Sequence, residues 1–287
     1  MVSMRLSAAF ALFLAFATAQ EPAINWRLEK VAGGLQYAAG LAWSREGRLY
    51  FSDAPAGRVH QFLPGQGTTL LLSDLKGPAG LALDDRGRLL ICESGARRLV
   101  RLKEGNVLET LADNFEGRKL NSPNDVAVRK DGLIIFSDPA FGSAVDAREL
   151  AFYGVFRLHS KGVSALARWD KRPNGLALSP DGKLLYIASS DERAVRVLSL
   201  DHQGNASDER VLITGIDGVP NGLCTDEKGR LFVAARQILI YTPAGKLEGH
   251  VEVPEKPGAL AFGDADHKTL YVAARTSVYR VRILGRD

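Results

Sequence analysis

The chain has 287 residues, with 37 Lys and Arg against 33 Asp and Glu, so its formal net charge is +4. Charges of both signs are interspersed and form no basic run or stripe, which argues against a nucleic-acid partner. Hydrophobic residues make up 46% of the chain, yet no segment beyond the N-terminus has the ~18 uninterrupted apolar residues of a membrane span. We therefore expect a soluble globular protein with no membrane span.

Residues 1–19 are typical of a secretory signal peptide. Arg5 precedes an apolar run over residues 8–16, and Ala17-Thr18-Ala19 provides a small-x-small cleavage site. The run is too short to cross a bilayer. We expect cleavage after Ala19, export to the periplasm or the extracellular space, and one domain over residues 20–287. The alternative is a buried N-terminal helix.

Six copies of one unit follow along the chain. Each begins with a small or Asn residue and continues as a short alternating strand, a charged turn that usually ends in Gly, and a second apolar strand. Gly suits a tight hairpin because it adopts positive φ without strain. The six units begin at Ala39, Ala79, Asn124, Asn174, Asn221 and Gly258.

The spacing between these units selects the fold. Subtraction of successive starting positions gives 40, 45, 50, 47 and 37 residues. With a third strand after most units, this period predicts an all-β fold, a six-bladed β-propeller. A pair of β-sandwiches lacks such repeats and a β-helix has far shorter ones, so both fit worse. Residues 25–31 have no repeat of their own and are predicted to supply the outer strand of the last blade.

The two cysteines, Cys92 and Cys224, lie in apolar strand segments of distant repeats. A disulfide between them is the alternative in an exported protein, but two cysteines make no disulfide framework. We expect two free thiols.

The first residue of each unit faces the propeller axis, because the first strand of every blade lines the central channel. Asn124, Asn174 and Asn221 fall in three consecutive blades, and each follows a proline. Pro-Asn is otherwise a common turn signal. Three such pairs in register instead predict amides that converge on the axis, and amide oxygens are ligands of Ca²⁺.

A second ring of positions lies six residues after the turn glycine. Asp53, Glu93 and Asp138 occupy it in the first three blades, and Ala188, Ala235 and Ala274 in the others; the next positions include Ser94, Ser189, Arg236 and Arg275. This register predicts a channel mouth that is acidic on one side and carries two arginines on the other. The alternative is that Asp53 and Asp138 cap the turns that follow them.

The segments "NSPNDVAVRKDGLIIFSDPAFG", "RPNGLALSPDGKLLYIA" and "GVPNGLCTDEKGRLFVAA" resemble the SMP-30/gluconolactonase/luciferin-regenerating-enzyme family, in particular its bacterial gluconolactonase-like branch. The similarity runs from about residue 33 to the C-terminus. It implies a six-bladed propeller with one divalent cation, most commonly Ca²⁺, and hydrolysis of sugar lactones. It also implies that Asn174 is a metal ligand, and that Asn124 coordinates the metal directly or through water and contacts the substrate.

Three positions depart from that family pattern. Ala39 stands where the family usually has a metal-binding Glu, and Asn221 where it usually has an Asp that binds metal and accepts a proton. Ser94, where related bacterial sequences often have His, is assigned to substrate binding. The implied metal ligands are therefore Asn124, Asn174 and Asn221, although an Asn side chain cannot act as a base near neutral pH.

Three functions remain open at this point. The first is a lactone hydrolase whose missing charge comes from Asp138, Glu93, Asp53 or Asp125; we assign catalysis to Asn221 and Asp138, because Asp138 flanks the Asn124 hairpin. The second is a propeller that binds a sugar or lactone without turnover. The third is a structural or protein-interaction propeller. The expected ligand is a small sugar-lactone-like molecule, and the chain is taken as a monomer by default.

Overall fold

The computed structural model describes residues 24–160 and 162–286. Within these residues the chain forms six four-stranded antiparallel sheets, which are the blades of the propeller. The proposed signal peptide lies outside the described residues. No helix in the described part of the chain is long and apolar enough to span a membrane.

The first three blades follow the predicted repeats in chain order. Their strands are β2 (Ala38–Trp43), β3 (Leu49–Asp53), β4 (Arg58–Leu63) and β5 (Gly67–Leu72); then β6 (Pro78–Leu83), β7 (Leu89–Glu93), β8 (Arg98–Leu102) and β9 (Leu108–Ala112); then β12 (Val126–Val128), β13 (Ile134–Asp138), β14 (Tyr153–His159) and β15 (Gly162–Trp169).

The last three blades complete the ring, and the sixth takes its outer strand from the N-terminal side of the chain. Their strands are β16 (Pro173–Leu178), β17 (Leu184–Ser189), β18 (Ala194–Leu200) and β19 (Ala206–Ile213); then β20 (Leu223–Thr225), β21 (Leu231–Ala234), β22 (Ile238–Tyr241) and β23 (Leu247–Val251); then β24 (Pro257–Gly263), β25 (Thr269–Ala274), β26 (Ser277–Arg286) and β1 (Ile24–Ala32).

Strand β1 closes the ring by pairing antiparallel with β26, as its position outside the repeats predicted. The innermost strands contact one another in the order β2, β6, β12, β16, β20, β24 and back to β2. The first and last strands of the described chain therefore share one sheet. The sixth blade cannot come apart at this point without breaking that pairing.

The loops between the blade strands contain several short elements. A small hairpin of β10 (Asn114–Phe115) and β11 (Arg118–Lys119) precedes the third blade, and three 3₁₀ turns lie at Ser94–Ala96, Glu104–Asn106 and Gly142–Ala144. The hairpin and the third 3₁₀ turn both belong to long loops beside Asn124. Cys92 and Cys224 are free thiols, as predicted.

The hydrophobic core is divided among the interfaces between blades. Six clusters of buried residues are found in the described chain, and each joins the apolar faces of two neighbouring sheets. Between the second and third blades, for example, Phe136 and Phe156 stack with ring centroids 5.4 Å apart. Because both faces of each sheet are covered, the second strands are buried along almost their whole length.

Candidate functional site

A cavity of about 390 Å³ lies where the inner strands meet at the axis. Its lining includes all six residues that begin the repeats, Ala39, Ala79, Asn124, Asn174, Asn221 and Gly258. The prediction that these positions form one ring is therefore confirmed. The size lies at the lower end of the range for small-molecule sites.

Close contact between inner strands depends on the residue after each ring position. At Gly80, Gly175 and Gly222 the backbone N–H donates directly to a carbonyl of the next blade, over 2.7 to 3.1 Å. A Cβ added to Gly175 would stand 2.1 Å from the Asn221 oxygen, and one on Gly222 2.6 Å from that of Gly258. Only glycine fits such an approach, so these positions cannot present side chains to the cavity.

Asp125 interrupts this series in the third blade. There the Ser137 hydroxyl bridges the gap: its Oγ accepts from the Asp125 N–H at 3.1 Å and donates to the Asn174 carbonyl at 2.7 Å. The first blade uses Ser52 in the same way, between Gly40 and Ala79. A bridging hydroxyl thus accompanies a glycine in the first blade and an aspartate in the third.

Asp125 is the acidic residue that lines the cavity, among the described residues. Its Oδ1 accepts from the N–H of Val126 at 2.9 Å, and its Oδ2 accepts from the N–H of Leu176 in the next blade at 2.8 Å. Burial raises the pKa of Asp125 to about 7, against the lowering effect of these two donors. Asp125 was one of the four acids considered from sequence, and the structure places this one at the cavity.

The asparagine amides are ordered by a chain of hydrogen bonds. Asn124 Nδ2 donates to Asn174 Oδ1 at 3.1 Å, and Asn174 Nδ2 donates to Ser190 Oγ at 3.0 Å. The Ser190 hydroxyl in turn donates to the Pro220 carbonyl at 3.5 Å. This chain fixes which end of the Asn174 amide faces Asn124, and Asn174 is only 7% exposed.

Hydroxyl groups of the preceding blade hold two of the Pro-Asn segments. Ser94 Oγ donates to the Pro123 carbonyl, as Ser190 Oγ does to that of Pro220. Among the described residues, the cavity lining includes neither Ser94 nor Asp138. The substrate contact predicted for Ser94 thus has no counterpart in the cavity, where its hydroxyl instead fixes the backbone beside Asn124.

The acids of the predicted second ring are structural in their bonding. Asp53 accepts from the N–H groups of Gln36 and Tyr37. Asp138 accepts from those of Asn121 and Ser122, each at 2.7 Å. Glu93 likewise accepts from the Lys76 N–H.

Each of these carboxylates accepts from backbone N–H groups two or three residues before a ring position. They are at most 4% exposed and absent from the cavity lining of the described chain. They therefore form no acidic channel mouth. Their hydrogen bonds hold the segment that precedes each ring position, rather than capping the turns that follow the acids.

The register of that second ring also needs a correction in the fourth blade. Ala38 pairs with Asp53, and Pro78 pairs with Glu93, but the corresponding Pro173 pairs with Ser189 rather than with Ala188. Leu185, three residues after Gly182, pairs with Leu178, whereas Leu49, two residues after Gly47, pairs with Trp43, so counting from the glycine misplaces the blade by one position. Ser190, not Ser189, is therefore the counterpart of Ser94.

Two aromatic residues complete the cavity and carried no sequence signal. Tyr37 precedes the first blade and Phe141 follows β13; both line the cavity and are 41% and 37% exposed. The Arg172 guanidinium lies over the Phe141 ring, 5.0 Å from its centroid. Both aromatic rings stand on loops, where the repeat pattern predicts nothing about side chains.

Asp138 gives a testable pH dependence of stability. Burial raises its pKa from 3.8 to about 7, so between these values the folded protein holds a proton that the unfolded chain has released. The contribution of this group to the free energy of unfolding therefore falls as pH rises from 4 to 7. We expect the wild type to lose roughly 2 kcal/mol more than Asp138→Asn between pH 5 and pH 7.

Urea denaturation of both proteins at several pH values measures this difference. Asp125 and His60 titrate in both proteins, so their contributions cancel in the comparison. Parallel stability curves for the wild type and the variant would contradict the assignment.

The closed ring of six four-stranded blades and the amide-lined cavity on its axis define the class, a six-bladed β-propeller with an axial site. Residues 37–276 match the SMP-30/gluconolactonase/LRE-like region, and the chain belongs to this family.

Known proteins of similar sequence and structure include lactone hydrolases. A gluconolactonase from Zymomonas mobilis is 31% identical, over 90% of this chain and 82% of its own. The structure of a gluconolactonase from Xanthomonas campestris superimposes with a TM-score of 0.85 at 28% identity, covering 92% of this chain and 95% of that one. A regucalcin from Agrobacterium tumefaciens, described as a calcium-binding protein, has a TM-score of 0.77 at 20% identity over 91% and 94% of the two chains, and shows the fold alone.

Proposed function

We propose that this protein hydrolyses small lactones in its axial cavity. The observation that carries the proposal is the convergence of Asn124, Asn174 and Asn221 with the carboxylate of Asp125 in one cavity. The similarity to gluconolactonases supports the same reaction class.

The cavity supplies two kinds of group to this reaction. In hydrolysis, a water oxygen attacks the lactone carbonyl carbon, the ring C–O bond breaks, and the proton lost by water ends on the ring oxygen to give a hydroxy acid. We assign to Asp125 the uptake and return of that proton, the role of a general base and acid. The Asn221 amide N–H can donate to the carbonyl oxygen, where negative charge develops. Asp138 is given no part, since it is fully buried and, among the described residues, does not line the cavity.

The family resemblance also implies a calcium ion, and the residues present do not fit one. Calcium takes six to eight oxygen ligands, usually with carboxylates among them. The ring offers three neutral amides, and Asn174 Oδ1 already accepts from Asn124. Ala39 contributes no side-chain ligand, and Asp125 supplies the single carboxylate among the described residues that line the cavity. No cluster of three or more His, Cys, Asp or Glu suited to a metal occurs in the described chain. The proposed chemistry therefore relies on the side chains alone.

Hydrolysis of a lactone panel, followed by acid release in a pH-stat, tests the proposal. We expect Asp125→Asn to lower kcat/KM about 10²-fold, as loss of a general base does, and Asn124→Ala to lower it about tenfold because it also releases Asn174. Asn114→Ala, which changes an exposed asparagine outside the cavity, is the matched control and should retain full activity. Equal activity in Asp125→Asn and the control would contradict the proposal.

A second function is favoured by the residues at two ring positions. Ala39 and Asn221 remove the carboxylates that the family pattern places there, which agrees with a propeller that binds a lactone without turning it over. Calorimetric titration with lactones distinguishes the two: saturable binding without acid release supports the binding protein.

A further inference from the structure

The axial cavity has two chemically different sides. Because the inner strands follow one another around the ring, the third, fourth and fifth blades place their three asparagines on one continuous arc. The sixth, first and second blades place Gly258, Ala39 and Ala79 on the opposite arc. We call these the amide arc and the alanine arc.

The alanine arc cannot gain polar groups from the next position along each strand. A Cβ on Gly40 would stand 2.1 Å from the Ala79 carbonyl oxygen, and one on Gly80 2.6 Å from the Asn124 oxygen. The corresponding residue of the sixth blade is Ala259, which also lines the cavity. Along this half of the ring, the inner strands thus present only methyl groups and backbone.

The rim carries one aromatic residue beside each arc, Tyr37 before the first blade and Phe141 after β13 of the third blade. The aromatic rings of Tyr37 and Phe141 line the cavity and are partly exposed, and flat aromatic faces pack well against hydrocarbon. Arg172, stacked on Phe141, is also paired with Asp191, which accepts from its Nε at 2.9 Å. That pairing offsets the charge of Arg172 beside the rim.

These two arcs determine which lactones bind best. A hydroxyl group turned toward the alanine arc leaves water and finds no polar side chain of the inner strands there, which weakens binding. A methylene group at the same place removes apolar surface from water, which strengthens it. The amide arc can still bind the lactone carbonyl and ring oxygen.

We propose that the cavity selects lactones that carry an alkyl substituent on the ring over lactones whose ring carbons carry hydroxyl groups. This inference rests on the proposed lactone hydrolysis and assigns its substrate class. It separates the chain from the gluconolactonases it resembles, because gluconolactone carries hydroxyl groups around its ring and a hydroxymethyl group beside the ring oxygen.

Specificity constants for three δ-lactones test the selection. We expect kcat/KM to increase about fourfold per added methylene from δ-valerolactone to δ-hexalactone and onward to δ-octalactone, until the cavity is full. We expect δ-octalactone to exceed glucono-1,5-lactone at least tenfold. A value for glucono-1,5-lactone equal to or above that of δ-octalactone would overturn the inference and leave lactone hydrolysis standing.

Two substitutions of Ala79 separate polarity from size. Ala79→Asn adds an amide to the alanine arc, and should shift the ratio of kcat/KM toward glucono-1,5-lactone at least tenfold. Ala79→Val adds bulk without polarity and should leave that ratio in favour of alkyl lactones. An equal shift in both variants would show that cavity size decides selectivity, against the inference.

Binding of inert analogues keeps the inference testable if no lactone is hydrolysed. In that outcome the proposed hydrolysis fails, while calorimetric titration of the wild type with a δ-lactam bearing an alkyl chain and with gluconolactam still compares the two chemistries. Tighter binding of the alkyl lactam by tenfold or more supports the two-sided cavity. Tighter binding of gluconolactam overturns it.

Discussion

Restoring two carboxylates, in the double variant Ala39→Glu with Asn221→Asp, is expected to create a calcium site in the axial cavity. Both positions line the cavity beside Asn124 and Asn174, so two negative charges would join the existing amide oxygens. Because calcium affinity depends on the number of charged ligands, we expect the Kd to tighten on the order of 10³-fold. Calorimetric titration with calcium measures this directly, without reference to activity.

The neutral variant Ala39→Gln is the matched control for this experiment. It adds a side chain of nearly the same size with an amide oxygen in place of the charge, and should leave calcium affinity close to that of the wild type. We also expect chelator to lower lactone hydrolysis by the double variant, with little effect on the wild type. If the double variant binds calcium no better than Ala39→Gln does, then positions 39 and 221 do not share a cation site.

The second large effect concerns the packing of the inner strands. We expect Gly175→Ala to destabilise the protein by about 3 kcal/mol or more, since the new Cβ would lie 2.1 Å from the Asn221 oxygen and 2.7 Å from the Gly222 Cα. Backbone atoms cannot rotate away as a side chain can. The hydrogen bond from the Gly175 N–H to that same oxygen, 3.1 Å long, would also be lost or stretched.

Gly258→Ala provides the comparison within the same ring. Its Cβ would meet nothing closer than 3.6 Å, and its backbone does not require positive φ, so we expect a change in stability within about 1 kcal/mol of zero. Urea denaturation of the two variants measures the difference. Similar midpoints for Gly175→Ala and Gly258→Ala would show that the blades can move apart at low cost, contrary to the packing described here.

Much of the fold could be predicted because the propeller repeats one local pattern. Strand alternation and turn glycines recur in each unit, and together they place the first residue of every blade at the axis. Counting along the chain therefore found all six ring residues. The same counting failed for Ala188, because the pairing of β16 with β17 is shifted by one residue relative to that of β2 with β3, which brings Ser189 to the position that Asp53 holds in the first blade.

Side-chain roles were harder to predict than side-chain positions. Asp138 and Asp125 look alike in the sequence, each beside an apolar strand of the third blade. In the structure, Asp138 is buried against the N–H groups of Asn121 and Ser122, whereas Asp125 lines the cavity. Which one reaches the axis depends on how the third blade packs against its neighbours, and no residue near either aspartate reports that packing.

The sequence by itself thus determined the six-bladed architecture, the closing strand β1, the two free cysteines and the arc of three asparagines. These follow from short strands and turn glycines that recur in each unit and can be counted along the chain. Tertiary structure alone decided that Asp125 is the acid of the cavity, that Ser94 and Ser190 hold backbone carbonyls, and that Tyr37 and Phe141 form the rim. Such assignments depend on contacts between blades and loops far apart in the chain, and distance between blades is not encoded in any single repeat.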